Sequence, residues 1–429
     1  MRSSRPRESA ISPRDASREP SGPRVLALTT LQQAGLTCIR FGLPILAPFW
    51  RNALRLSLGQ VGLLLGAFDL GALLFFIPMG LLADRWGEPA VLTAGALFTA
   101  VMTALITRAQ SFWSVALLLA VAGLGYGSGQ TAGTKAVAAA FGPGGRGTAM
   151  GIRQAGLPLG GVIAALLLPP LAGAFGWRTA LAGAAAVCAL TGILCWLGLR
   201  DTAHGRRPGE ATGRGNGREG RLAGQGTIVD RVRAILRNTG VLRTTEASML
   251  LVIAQFCYQG YLALYLVDRF GWSNHAAAVL LVAVHLGGVL GRLAWGALSD
   301  RRYGGRRVPA LVWCVGAGTA FPVGLIVLPH VAHPSTVTGA ALIGGILLLG
   351  WNGLYSTLIT ESAAPGQGAT AMGVSMTLMY TATMLTPPLF GFLVDRTSYA
   401  VGWASLVGVM AWALVLTYRI PEPAAHDPA

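Results

Sequence analysis

The chain has 429 residues, 53% of them hydrophobic and 12% charged, about half the ~25% charge of an average soluble domain. So few charges cannot cover a water-facing surface, and the apolar runs reach the ~18 residues that ~30 Å of hydrocarbon asks of a helix, which excludes a soluble globular fold. The net charge of +16 does not point to nucleic acid either, because the basic residues lie between apolar spans and form no basic face interleaved with aromatics.

Residues 1–24 read as an Arg-, Ser- and Pro-rich tail without the form of a cleavable signal peptide, so the first helix is expected to be a retained anchor. Apolar runs then predict six helices near 25–49, 58–83, 90–108, 112–138, 148–173 and 178–199. Residues 200–245 are rich in Gly and Arg and predict a flexible basic linker. Within it Ile228–Arg237 places Ile, Val and Leu at helical spacing opposite Arg, the pattern of a short surface helix. Six more helices follow near 246–267, 275–298, 308–329, 336–360, 368–393 and 399–418, with a tail over 419–429. The expectation is an all-α membrane protein of twelve transmembrane helices in two six-helix bundles, 25–199 and 246–418. An even number of spans puts both termini on one side. Arg85, Arg146 and the Arg301, Arg302, Arg306, Arg307 cluster make that side the cytoplasmic one of a plasma or inner membrane.

Several chemistries have no residues to perform them. No Walker A string, HExxH or nucleophile elbow occurs, and the six histidines are dispersed. The five cysteines fall inside apolar spans without metal or disulfide spacing, so they read as packing. We therefore expect no enzyme activity, no metal and no cofactor.

The two halves repeat. SLGQVGLLLGAFDLGALLFFIPMGLLADR, ending at Arg85, aligns with SNHAAAVLLVAVHLGGVLGRLAWGALSDR, ending at Arg301, at an offset of 216 residues. The offset superimposes Ser57 on Ser273, Leu70–Gly71 on Leu286–Gly287, Gly80 on Gly296, and Asp84–Arg85 on Asp300–Arg301. A second match, AMG at 149–151 and 371–373, has an offset of 222. Parallel six-helix repeats with a site at the midplane between them are the plan of the major facilitator superfamily. GLLADRWG at 80–87 resembles that superfamily's loop between helices 2 and 3, and GALSDRRYGGRR at 296–307 is its second copy. Glu88 and Pro89 stand where the family usually has Arg or Lys. RQAGLPLGG at 153–161 and GWNGL at 350–354 are similar to cyanate and nitrate/nitrite porters. The antiporter-associated helix 5 pattern is displaced at Pro158, and the Arg usual in helix 4 is missing. The resemblance implies alternating access, with Gly80, Asp84, Arg85, Arg292, Gly296, Asp300 and Arg301 as gating residues on the cytoplasmic side.

Ionisable groups inside the bilayer are costly and therefore informative. Asp69 lies 11 residues into the second helix, ~16 Å deep at 1.5 Å per residue, and His285 occupies the matching place in the second half. One titratable group from each half makes Asp69 and His285 the expected proton-coupling pair, against a purely structural pairing with neighbours. Arg40, four residues before Pro44, needs an anion, which is either Asp69 or a substrate carboxylate held by its planar fork. Arg153 and Gln154 on helix 5 are candidates for substrate contact, although Arg153 could pair with the loop aspartates instead. Gln255, Tyr258 and Gln259 share one face of helix 7. Together with Gln130, Asn352 and Tyr380 they complete the expected substrate-binding set.

The reading is a secondary transporter of a small solute, expected to be a small organic or inorganic anion, with protons as a candidate co-substrate. Partners are the substrate and the lipid bilayer, with no nucleic acid, and a monomer is expected. A proton-coupled exporter of amphipathic cations is the alternative, and a non-transporting receptor on the same scaffold the alternative of a different class. The deep basic groups Arg40 and Arg153 outnumber the single deep acid Asp69 and favour the anion.

Overall fold

The computed structural model describes residues 22–141, 143–203, 228–327, 334–364 and 367–422, and among these every regular element is a helix. The first bundle holds α1 (Gly22–Leu54), α2 (Leu58–Trp86), α3 (Glu88–Ile106), α4 (Phe112–Ala140), α5 (Pro143–Phe175) and α6 (Trp177–Ala203). A short α7 (Ile228–Arg237) precedes the second bundle. That bundle is α8 (Thr239–Phe270), α9 (Asn274–Val279) with α10 (Leu281–Tyr303), α11 (Arg307–Val327), α12 (Pro334–Leu349) with α13 (Asn352–Ser362), α14 (Gly368–Arg396) and α15 (Tyr399–Tyr418). Because α9 with α10, and α12 with α13, each make one crossing, both bundles have six spans.

Eleven spans are long and apolar enough on their own to cross a membrane. The twelfth, α1, carries Gln32, Gln33, Arg40, Pro44 and Pro48, and it is sheltered instead, with an unbroken buried run from Gln32 to Pro48. Its polar groups are thereby kept from lipid and given to the interior, as an intramembrane charge requires.

The sequence repeat has a structural cause at each matched position. Ser57 and Ser273 are both helix N-caps, their side chains accepting from the backbone N–H of Gln60 and Ala276 at 3.1 and 3.2 Å. Gly71 and Gly287 both mark close helix crossings. A β-carbon on Gly71 would sit 1.8 Å from the Ala120 carbonyl oxygen of α4, and one on Gly287 would sit 2.1 Å from that of Leu342 on α12. The packing repeats as well: α1 lies on α5 and α6, α2 on α4 and α3 on α6, while α8 lies on α14 and α15, α10 on α12 and α11 on α15.

Several helix boundaries differ from the hydropathy reading; α1, for example, runs from Gly22 to Leu54 and α5 from Pro143 to Phe175. The seventh span begins at Thr239 rather than 246, because Asn238 caps it by accepting from Val241 N–H at 3.1 Å; the polar run from Arg243 to Glu246 hid that first turn. The α6 helix continues to Ala203, and the surface helix expected at Ile228–Arg237 is α7. The rest of the linker, 204–227, and the tail to residue 21 lie outside the described residues. The tenth span is interrupted at Gly350–Trp351, where the freed carbonyls of Leu348 and Leu349 accept from Trp351 Nε1 at 3.0 Å and Asn352 Nδ2 at 3.1 Å.

The two bundles meet along α2 against α14 and α5 against α10, both antiparallel. Along the first seam Gly59 faces Phe392, Gly62 faces Pro387, Gly66 faces Met384, and Phe76 meets Tyr380 edge-on at 4.6 Å. Pro388 has no N–H, so Met384 O lacks its usual helical donor, and the bare α-carbon of Gly66 packs against that carbonyl. The register next brings Gly80 opposite Gly373, yet a β-carbon on either would meet nothing within 4 Å. On the second seam His285 packs on Gly161, and Arg292 donates to Gln154 O at 3.3 Å. Beyond that contact Gly151 and Gly296 are again open. The halves therefore touch at the end away from Gly22 and Tyr418 and splay apart at the end that carries them. Gly80 and Gly296, two of the expected gating residues, face open space in this conformation.

At the closed end Asp395, from α14, accepts from the N–H groups of Leu58 and Gly59 at 2.9 and 2.7 Å, a carboxylate on the N-terminus of α2. Arg51 of α1 pairs with Asp268 of α8, to which Tyr399 also donates at 2.8 Å. Tyr261 reaches from α8 to Leu58 O at 3.1 Å and Pro387 O at 2.5 Å. Gly62→Leu should prevent this closure, since its β-carbon would lie 2.3 Å from Pro387 O. With Leu58→Cys as reporter, and all five native cysteines buried, labelling by a membrane-impermeant maleimide is expected to rise several-fold. Unchanged labelling would contradict the closed end described here.

Candidate functional site

Arg40 and Asp69 are brought together at the centre of the first bundle, Arg40 Nε lying 2.7 Å from Asp69 Oδ1 with side chains 8% and 5% exposed. Helix α1 presents Arg40 one turn before Pro44, and α2 presents Asp69 two residues before Gly71, where α2 crosses α4 most closely. The guanidinium carbon lies over four aromatic rings: Phe256 at 4.7 Å, Tyr380 at 5.1 Å, Tyr126 at 5.5 Å and Phe41 at 5.6 Å. These rings come from α8, α14, α4 and α1, so the cation is held by both bundles. Only Nε is spent. Among the described residues neither terminal nitrogen of Arg40 makes a hydrogen bond. A cavity beside the pair is lined by Arg40, Asp69, Leu65, Phe256, Gln259 and Pro387.

The second bundle supplies amides. Asn352 Nδ2 donates to Gln255 Oε1 at 3.1 Å, and Gln255 Nε2 donates to Gln259 Oε1 at 3.4 Å, which leads from the interruption in the tenth span to the cavity wall. Tyr258 does not join them. Its hydroxyl donates to Ala341 O at 3.2 Å and its ring packs edge-on against Phe321, inside the second bundle. Three and four residues are ~100° apart on the helix wheel, so the arc from Gln255 to Tyr258 to Gln259 straddles cavity and core. Gln130 is nearly buried on α4.

Asp69 and His285, the proton pair expected from the repeat, have different partners. His285 faces the Phe41 ring at 5.0 Å and the backbone of Gly161, while Asp69 is engaged with Arg40. His285 Nδ1 is buried without a hydrogen-bond partner. Among the described residues the partners of Arg153 are not acidic. It is 1% exposed and donates to Thr134 Oγ1 at 3.1 Å, Gln33 Oε1 at 3.2 Å and the Gly129 carbonyl, all neutral acceptors. Gln154 meets Arg292 through its backbone carbonyl, so its side chain is not what joins the halves.

Of the gating set, Asp300 pairs with Arg307 at 2.5 Å in its own loop, and Arg307 also lies 3.8 Å from Glu361. In the first bundle the corresponding places hold the opposite charges, Glu88 and Lys135, 3.3 Å apart. Arg85 and Arg301 are exposed, and the Asp84 side chain lies outside the described residues. Sequence reasoning missed Tyr126 and Phe256 as walls of the Arg40 site, and Asp268 and Asp395 at the closed end. A mid-span aromatic carries no polar signal, and a carboxylate at a helix end reads as an ordinary turn.

Two six-helix bundles, joined at one end, parted at the other and sharing a buried charged cluster between them, make a membrane transporter of small solutes working by alternating access, not an enzyme. The chain belongs to the Major Facilitator Superfamily, whose family model matches residues 29–387. It is 31% identical to an uncharacterized MFS-type transporter of Mycobacterium tuberculosis over 93% of this chain and 86% of that protein. With the hexuronate transporter of Bacillus subtilis it shares 25% identity over 91% of this chain and 92% of the other. Its fold matches a bacterial homolog of the human lysosomal transporter Spinster in an inward-facing, unoccupied conformation, with a TM-score of 0.76, 18% identity, and 96% and 98% of the two chains covered.

Removing the Tyr261 hydroxyl takes away the inter-bundle contact to Leu58 O together with the contact to Pro387 O inside the second bundle. Tyr261→Phe should leave the Leu58 carbonyl without its cross-bundle donor and weaken closure by about 1 kcal/mol. The readout is a few-degree lower melting temperature in detergent, and an unchanged melting temperature would show that the contact carries no net stability.

Proposed function

We propose that the protein carries a small organic anion whose carboxylate is taken by the two terminal nitrogens of Arg40. The observation that supports this is the half-used guanidinium: Nε is committed to Asp69, and both remaining nitrogens lack a hydrogen bond among the described residues beside a cavity between the bundles. A planar fork matches a carboxylate in two parallel contacts. The hexuronate transporter among the relatives carries a solute of that chemistry by its name. An exporter of cations would need a carboxylate turned to its cargo, and Asp69 is instead turned to Arg40.

A substrate carboxylate on the terminal nitrogens shares with Asp69 the one positive charge of Arg40, and a proton on Asp69 relieves the excess negative charge. Substrate and proton thus load together, which is symport, with Asp69 as the coupling group. His285, which packs on Phe41 and Gly161, takes no part in that exchange. Exposed Arg85, Arg301 and Arg302 at the open end orient it to the cytoplasm of a plasma or inner membrane, so the conformation is the inward-open one.

Proteoliposome counterflow with labelled D-galacturonate, with and without an inward proton gradient, tests this. Arg40→Gln should lower exchange by about 100-fold or more, since it removes a charge-assisted bidentate contact. Asp69→Asn should keep exchange but lose the response to the gradient. Wild-type exchange by Arg40→Gln, or exchange of lipophilic cations in place of carboxylates, would overturn the reading.

A further inference from the structure

The amide chain in the second bundle has a direction. Every amide offers both a donor and an acceptor end, so such a chain could point either way unless something at its root decides. At the root here is the Leu349 carbonyl, freed by the interruption of the tenth span, and a carbonyl only accepts. It binds Asn352 Nδ2 at 3.1 Å, which fixes that side chain's nitrogen; the same nitrogen donates to Gln255 Oε1 at 3.1 Å. Gln255 must then offer Nε2 to Gln259 Oε1, 3.4 Å away. The last amide is left with its N–H₂ end unspent. Gln259 is 3% exposed, its Nε2 is buried with no partner, and it lines the cavity that also holds Arg40 and Asp69.

We infer that this relay presents a fixed hydrogen-bond donor to the substrate, so that the transporter selects carboxylates carrying a second acceptor oxygen, a hydroxyl or carbonyl, and discriminates against plain aliphatic carboxylates. The inference rests on the reading of Arg40 as the carboxylate site. Arg40 takes the carboxylate from the first bundle, and Gln259 Nε2 takes the second oxygen from the other. An unpaired buried N–H₂ is costly, so a substrate without that oxygen leaves the penalty standing. Gln259 is the specificity residue. Asn352 and Gln255 are positioning residues that act through it, and because their root is a break in a helix, occupation of the site is felt at the interruption between α12 and α13. A substrate that engages both bundles also links their positions, which an anion bound to Arg40 alone would not do.

The test is competition against labelled D-galacturonate in proteoliposomes by matched pairs: unlabelled D-galacturonate against cyclohexanecarboxylate, and lactate against propionate. In the wild type the oxygenated member of each pair should compete at least about tenfold better, the cost of one buried unpaired donor. Gln259→Met keeps the length of the side chain and removes the donor, and should bring both ratios close to one. Asn352→Leu, which unroots the relay without touching the cavity, should shrink the ratios in the same direction. A general loss of folding would lower both members together and leave the ratios unchanged. Ratios near one in the wild type, or ratios unmoved by Gln259→Met, overturn the inference while leaving the Arg40 site intact. Failure of every carboxylate to compete or exchange overturns the Arg40 reading and this inference with it.

Discussion

A guanidinium in the middle of a bilayer is a constraint before it is a function. Arg40 cannot reach either interface from the centre of α1, and the helix that carries it is the one span whose own composition does not qualify it for lipid. It is accommodated because the fold surrounds it: Asp69 compensates its charge through Nε, and four aromatic rings from α1, α4, α8 and α14 shield its faces. Replacing one member of such a buried pair leaves the other as an uncompensated charge, which is why its partner, its cage and its burial belong together. Since the cage draws on both bundles, the same charge that must be sheltered also sits where the bundles meet.

The contact between the bundles is unequal along its length, and that inequality is the machine's state. Close approach requires small residues and carbonyls that tolerate a neighbour, and these are supplied from Gly59 to Gly66 against the proline-containing stretch of α14. Polar clasps finish the same end: Asp395 on the N-terminus of α2, and Arg51 with Asp268 and Tyr399. At the other end the matched glycines of the repeat stand apart, and the charged loops satisfy themselves locally, Asp300 with Arg307 and Glu88 with Lys135. Arg307 beside Glu361 and Glu88 beside Lys135 occupy comparable places with the charges exchanged, so the halves present different surfaces.

Much of this was legible in the sequence because the bilayer leaves few solutions. The span pattern, the duplication and the loop motif each had one physical reading, and the matched residues Ser57 with Ser273 and Gly71 with Gly287 prove to be caps and close crossings in both halves. Less was legible at the site. An offset of 216 set His285 against Asp69, yet an alignment carries no side-chain direction, and His285 packs on Phe41 and Gly161 while Asp69 binds Arg40. Helical spacing put Tyr258 with Gln255 and Gln259, but an arc of ~100° is wide enough to reach both the cavity and the bundle core. Among the described residues Arg153 is bonded to neutral groups, Gln33, Thr134 and the Gly129 carbonyl, from helices adjacent only in space.

The sequence by itself determined that the chain lives in lipid, folds as two related six-helix bundles and keeps a few charges that must find partners, because hydrophobic length, repetition and the cost of burying charge are local or compositional facts. Only the tertiary structure decided which partners those charges found, which end of the molecule is closed, and which way the amide relay points. Each of these includes a contact between atoms tens or hundreds of residues apart, such as Asn352 with Gln255, and no period or spacing along the chain encodes that.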